Sequence, residues 1–150
     1  MALHIVFVEP EIPGNTGNIA RTCAATGAHL HLVKPLGFDI DEKAVRRAGL
    51  DYWPYENLDE FLEKNADRRM FLATTKGSQR YTDVEYEDDD MILFGKETAG
   101  LPRDFIAQNS SMAIRIPLSE DTRLRSLNLA NSANIILFEA LRQLDFPELK

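Results

Sequence analysis

The sequence predicts an α/β protein with a mostly parallel sheet and helices on both faces, and three observations carry that prediction. Short apolar runs of strand length alternate along the chain with segments of helical spacing. The clearest of those runs are nearly continuous in apolar residues, as strands buried on both faces require. With 150 residues, 44% hydrophobic and 27% charged, the chain has the size of one domain, 1–150, able to bury roughly two thirds of its unfolded surface. Disordered, collagen-like and disulfide-scaffold classes are thereby excluded.

Each element has a local reason. His4-Ile5-Val6-Phe7-Val8 is an apolar run broken by the turn-rich Glu9-Pro10-Glu11-Ile12-Pro13-Gly14-Asn15, so a buried strand and a loop are expected. A helix from about Thr16 to Thr26 follows, with Ile19 and Cys23 on one face and Gly27 as its left-handed stop. Ala28 to Val33 reads as the next strand. Asp41 precedes a short helix over Glu42 to Ala48 stopped by Gly49, and Asn57 caps another over Leu58 to Lys64. Met70 to Thr75, Met91 to Phe94 and Ala113 to Ile116 are further strands, and Pro102 opens a short helix to Gln108. The longest element is a helix from Leu127 to Leu144, for which Ser126 is a suitable N-cap. It is apolar nearly all round its middle, so it needs partners on more than one side, and a subunit interface is the expected second one.

The 17 basic and 24 acidic residues sum to −7, which argues against broad, nonspecific nucleic-acid binding. Six of the acids, Asp83, Glu85, Glu87, Asp88, Asp89 and Asp90, lie in one stretch, and without them the chain stands at −1. Cys23 is the only cysteine, so an internal disulfide is excluded, and no Cys/His spacing fits a metal site. His29 and His31 share a strand face and are expected at the surface. No signal-like or membrane-spanning run is present, so a cytoplasmic protein is expected.

Three segments place glycine and polar residues where strands of an open sheet end, the usual location of ligands. The first is Asn15, Gly17, Asn18 and Arg21 in Pro13-Gly14-Asn15-Thr16-Gly17-Asn18-Ile19-Ala20-Arg21, which lacks both the dinucleotide G-x-G-x-x-G and the P-loop spacing. The second is Phe94-Gly95-Lys96-Glu97-Thr98-Ala99-Gly100-Leu101-Pro102, where Gly95 and Gly100 permit close backbone approach to a ligand. The third runs from Ile114-Arg115-Ile116-Pro117-Leu118 through Arg123, Arg125, Ser126 and Asn128 to Asn131. Asparagine is a poor helix-interior residue, so Asn128 and Asn131 at a helix start suggest a site.

Taken together and in this order, the segments resemble the three signature motifs of the SPOUT superfamily of RNA methyltransferases, in its ribose 2'-O-methyltransferase branch. The resemblance covers the chain from His4 to the end of the last helix. It implies a C-terminal deep trefoil knot forming an S-adenosylmethionine pocket, lined here by Ala73, Thr74, Gly95, Gly100, Ile116, Leu118, Ser126 and Leu127. It also implies a homodimer, no metal, and S-adenosylhomocysteine as product. The catalytic set carried over is Arg21 with Asn15, Glu97, Ser126 and Asn128. Because guanidinium stays protonated, Arg21 is read as a clamp on the neighbouring phosphate, with a phosphate oxygen or Glu97 taking the proton.

Chains this short, with a segment like Arg46-Arg47-Ala48-Gly49-Leu50-Asp51-Tyr52, look like bacterial members that methylate the wobble nucleotide, cytidine or uridine 34, in the anticodon stem-loop of leucine tRNAs. Arg21, Arg46, Arg47, Arg123 and Arg125 are the expected RNA contacts, and an added RNA-binding module is not expected. Another RNA such as ribosomal RNA, or a non-catalytic dimeric RNA-binding module, are the alternatives. Gly14 and a slightly long Ser119 to Arg125 loop depart from the pattern beside the expected site.

Overall fold

The computed structural model describes residues 2–40, 51–121 and 126–150. Among the described residues, seven strands form one sheet: β1 (His4–Val8), β2 (His29–Val33), β3 (Trp53–Tyr55), β4 (Met70–Ala73), β5 (Gln79–Arg80), β6 (Met91–Phe94) and β7 (Ala113–Arg115). Their order is β3-β2-β1-β6-β4-β7-β5, and every pairing between them is parallel. The expected mostly parallel sheet is therefore parallel throughout these strands.

The α-helices among the described residues are α1 (Pro13–Thr26), α2 (Leu58–Lys64), α3 (Arg103–Gln108) and α4 (Leu129–Gln143). Alternate side chains of the central strands feed two cores. Ile5, Phe7, Ile92 and Phe94 meet Ile19 and Cys23 of α1 and Ala133, Ile136 and Leu137 of α4. On the other face Val6, Val8, Leu72 and Leu93 meet Phe61 of α2, with Phe105 and Ile106 of α3 packed alongside. β1 and β6 are buried along their whole length, which accounts for their continuous apolar sequences.

Several boundaries moved. α1 begins at Pro13, three residues before the expected start, because a proline at the first turn gives up no intrahelical donor. Gly27 ends the helix in the left-handed region at φ 77°. α2 matches its expected range, and Asn57 Oδ1 accepts from Glu60 N at 2.8 Å. β3 and β5 were not expected: both are short, and Pro54 in β3 is tolerated because that strand lies at the sheet edge. The expected helix over Glu42 to Ala48 lies outside the described residues.

His31 corrects the surface expectation. It is 4% exposed, with its ring edge-on to Phe61 of α2, and His4 is 6% exposed. Arg68 donates to His4 Nε2 at 2.7 Å; because guanidinium only donates, His4 must carry its proton on Nδ1. That N–H donates to His31 Nε2 at 2.8 Å, and His31 Nδ1–H donates to the Tyr55 hydroxyl at 2.9 Å. Both imidazoles are thus held neutral. Burial lowers His4 to about 4, assisted by the Arg68 charge, and lowers His31 to about 3. Two ring nitrogens that find partners inside the sheet's apolar face give no periodic signal, which is why the sequence did not disclose them.

The acidic stretch is likewise not wholly a solvated face. Asp90 is buried, and its carboxylate takes a two-point contact from Arg69 at 2.9 and 2.6 Å while accepting from Glu87 N at 2.8 Å.

Candidate active site

The C-terminal ends of β4, β6 and β7 open onto a cavity of about 550 Å³. Its walls come from the loop after each of these strands and from the start of α4, so three segments distant in sequence converge on one space. All eight residues expected to hold a cofactor line it: Ala73, Thr74, Gly95, Gly100, Ile116, Leu118, Ser126 and Leu127. So do Asn15, Glu97 and Asn128. Leu118, Leu127 and Ile12 are large apolar side chains left exposed at this cavity, a surface that a bound ligand would cover.

The loop Gly95 to Leu101 folds back on itself. Gly100, at φ 72°, donates from its N–H to the Lys96 carbonyl at 2.8 Å. A Cβ on Gly95 would lie 1.9 Å from the Gly100 carbonyl carbon and 2.0 Å from Leu101 N. Gly95 lines the cavity, but the group that requires it to be glycine is its own chain rather than a ligand. The close approach expected there is in this respect internal.

Glu97, at the turn of that loop, is the hub of the site. Its Oε1 accepts from Glu11 N at 2.8 Å, and its Oε2 accepts from Ile12 N at 2.9 Å and Asn15 Nδ2 at 3.0 Å. Ile12 is the N-cap of α1 and offers no side-chain cap, so a carboxylate 85 residues away supplies negative charge at the helix start. Burial pulls the Glu97 carboxyl upward, but the hydrogen bonds from Asn15, Glu11 and Ile12 outweigh it and hold the group below the usual carboxylate range. Both oxygens of Glu97, one of the two expected proton acceptors, are thus engaged, and the residue positions Asn15 and the head of α1.

Glu11 returns the contact. Its Oε1 accepts from Thr98 N at 3.0 Å and from Thr98 Oγ1 at 2.7 Å. The loop before α1 and the loop after β6 are joined by two carboxylates, each reaching into the other loop. Sequence reasoning missed Glu11 and Thr98; the one available hint was an acidic residue just before a helix start that lacks a capping side chain.

The third motif is also rearranged. The N-cap of α4 is Asn128, whose Oδ1 accepts from Asn131 N at 3.2 Å. Ser126, expected as the cap, lies two residues earlier in non-helical chain and faces the cavity. The Asn128 side chain thus has a structural task at one atom, its oxygen, which explains an asparagine at this position. Asn131 is exposed on the first turn.

Arg21 lies on the exposed side of α1 and is not among the residues lining the cavity. Arg115, in the third segment, donates to the Gly77 carbonyl at 3.0 Å. Arg46, Arg47, Arg123 and Arg125 lie outside the described residues. Cys23 is buried in the α1 core, and burial pushes its thiol up to about 12, so it is chemically inert.

Comparison with known proteins agrees with this arrangement. A relative from Methylovorus glucosotrophus (strain SIP3-4), a tRNA (cytidine(34)-2'-O)-methyltransferase, is 48% identical over 149 residues, covering 95% of this chain and 96% of the relative. A solved structure from work on the 2-OH methylation of C/U34 on tRNA superposes with a TM-score of 0.84 at 38% identity, covering 96% of this chain and 97% of its own. The AdoMet-bound rRNA methyltransferase from Sinorhizobium meliloti superposes with a TM-score of 0.80 at 28% identity, covering 95% of this chain and 57% of its own. The SpoU rRNA Methylase family profile matches residues 2–138, and with the three motifs meeting at one cavity, the chain belongs to that family.

Proposed function

We propose that this protein is an S-adenosylmethionine-dependent tRNA ribose 2'-O-methyltransferase that modifies cytidine or uridine 34, the wobble nucleotide, in the anticodon stem-loop of leucine tRNAs. The observation that carries the reading is the convergence of all three motifs on one cavity whose size falls in the range of about 300–1,000 Å³ typical of small-molecule sites. The cavity fits the cofactor chemically. Ile116, Leu118, Leu127 and Ile136 give apolar walls for a flat base, and Thr74, Ser126 and Ser132 add hydroxyls. When bound, S-adenosylmethionine supplies a methyl group already activated by the sulfonium charge.

The protein's part is to place a ribose hydroxyl. Asn15, fixed by Glu97, and Asn128, whose amide nitrogen is left for a ligand once its oxygen has capped α4, orient the sugar. Arg21 clamps the adjacent phosphate with its fork of donors, and a phosphate oxygen shares the hydroxyl proton. Arg21 stands apart from the cavity of its own chain, and the reading has it act across a homodimer interface. Exposed Ile135 and Phe138 on α4 and Phe146 just beyond it support such an interface; α1, which carries Arg21, packs beside α4 within the chain, where Asn134 Nδ2 donates to Asn18 Oδ1 at 3.2 Å.

A trefoil knot within a single domain is part of the same reading. β7 lies between β4 and β5, so the chain leaving β4 must cross over β7 to reach β5. Close packing at that crossing supports it: a Cβ on Gly77 would lie 2.5 Å from the Ile114 carbonyl carbon, and Thr74 N donates to the Ile114 carbonyl at 2.9 Å. A cytoplasmic location, where tRNA is found, belongs to the same reading.

Nucleoside mass spectrometry of leucine tRNAs from cells with and without the gene tests the proposal. Loss of the 2'-O-methyl group at the wobble nucleotide is expected. Unchanged tRNA with altered ribosomal RNA would redirect the substrate, and absence of S-adenosylmethionine binding by calorimetry would remove the activity.

A further inference from the structure

In a chain with seven more acidic than basic residues, a cation without a partner is informative. Among the described residues, Lys34, Lys64, Arg68, Arg69 and Arg142 are in ion pairs with carboxylates, and Arg115 donates to a backbone carbonyl. The side chains of Lys76, Lys96 and Arg103 have neither a hydrogen bond nor an ion pair, and all three line the cavity. They come from three separate places, the loop after β4, the loop after β6 and the first residue of α3. Among the described residues, Glu97 is the one carboxylate lining the same cavity, and both its oxygens are occupied by Glu11, Ile12 and Asn15. The cavity rim therefore carries three uncompensated positive charges.

We infer that Lys76, Lys96 and Arg103 form a contact for the RNA phosphates that flank the reacting ribose, an inference that rests on the RNA substrate proposed above. The cofactor does not call for such a rim. Its sulfonium and ammonium outnumber its single carboxylate, so three nearby cations oppose it, whereas a polyanionic strand crossing the mouth is attracted by all three. Unpaired and mostly exposed cations also bind phosphate without first breaking an internal ion pair. A local cationic rim on an acidic protein gives attraction at the site and repulsion elsewhere, which suits selective rather than broad RNA binding.

The test uses the intact protein and a synthetic anticodon stem-loop RNA, with affinity measured by fluorescence anisotropy across a potassium chloride series. Each single-strand phosphate contact contributes about 0.7 to the slope of log affinity against log salt, so Lys76→Gln/Lys96→Gln/Arg103→Gln should flatten that slope by about 2. The charge-preserving set Lys76→Arg/Lys96→Arg/Arg103→Lys should restore it. Arg80→Gln/Lys150→Gln, which removes unpaired cations away from the cavity, should leave it unchanged. S-adenosylmethionine affinity of the triple Gln variant, read by calorimetry, should stay within about twofold, which also reports that the cavity is folded. An unchanged salt slope in that variant overturns the inference, as does a loss confined to cofactor affinity, which would make the rim a site for the cofactor carboxylate. A wild-type protein that binds the RNA with the expected slope but methylates no wobble ribose would overturn the substrate assignment while supporting the phosphate contacts.

Discussion

Acidification from pH 7 to 5 should destabilise this protein through His4 and His31. Both imidazoles are neutral in the folded chain, His4 lowered to about 4 and His31 to about 3 by burial, with Arg68 adding to each. Their surroundings give a proton no place to go. A proton on His4 Nε2 would face the Arg68 guanidinium, and one on His31 Nε2 would face the His4 Nδ1–H. Asp89 is the carboxylate near this pair, 3.7 Å from His4 Nε2, and its partners hold it below the usual range, so it stays charged throughout the window.

The unfolded chain takes up protons at these positions near pH 6.5, so acidification favours unfolding. At pH 5 the folded histidines are still neutral, and the loss is set by the unfolded value alone. A fall of 1.5 pH units below it costs about 2 kcal/mol per histidine, about 4 kcal/mol for both. This is a large share of the roughly 5–15 kcal/mol by which domains are stable. Urea unfolding at pH 7, 6 and 5 measures it directly. His31→Leu should halve the pH dependence while lowering stability at pH 7, because His4 Nδ1–H loses its acceptor. A wild-type stability that changes by less than about 1 kcal/mol between pH 7 and 5 would refute the reasoning.

Glu97→Gln turns one acceptor oxygen into a donor facing a backbone N–H and removes the charge at the head of α1; a loss of about 2 kcal/mol in urea unfolding is expected, together with weaker cofactor binding. Gly95→Ala cannot be accommodated without opening the loop at Gly100, where the added carbon would sit 1.9 Å from the backbone. It should cost about 3 kcal/mol or more and abolish S-adenosylmethionine binding in calorimetry. Arg21→Lys should retain partial methylation because a point charge remains, and Arg21→Ala should lose it. Methylation by Arg21→Ala at the parent's rate would contradict the clamp.

Much of the fold was legible because its signals are local. The central strands announce themselves as continuous apolar runs, Asn57 and Gly27 mark helix ends, and Pro102 marks a start, whereas Pro13 reads as part of a loop. The unexpected strands β3 and β5 are held by neighbours rather than by their own composition; two or three residues carry no period. The exchange of roles between Ser126 and Asn128 was equally illegible, since serine and asparagine cap equally well and only the path of the chain decides which one does. The residues that line the cavity were legible through motif resemblance alone, because backbone groups at strand ends have no side-chain signature.

The sequence by itself determined the α/β class, the apolar faces of α1 and α4, and the three motifs, all of which depend on residues within a turn or two of one another. Only the tertiary structure decided that Glu97 and Glu11 reach across to each other's loops, that His4 and His31 form a buried neutral pair, and that Lys76, Lys96 and Arg103 share one rim. These arrangements bring together residues from separate elements, in the carboxylate and histidine pairs tens of residues apart. Their energy depends on distance and on exclusion of water, which only the assembled sheet fixes.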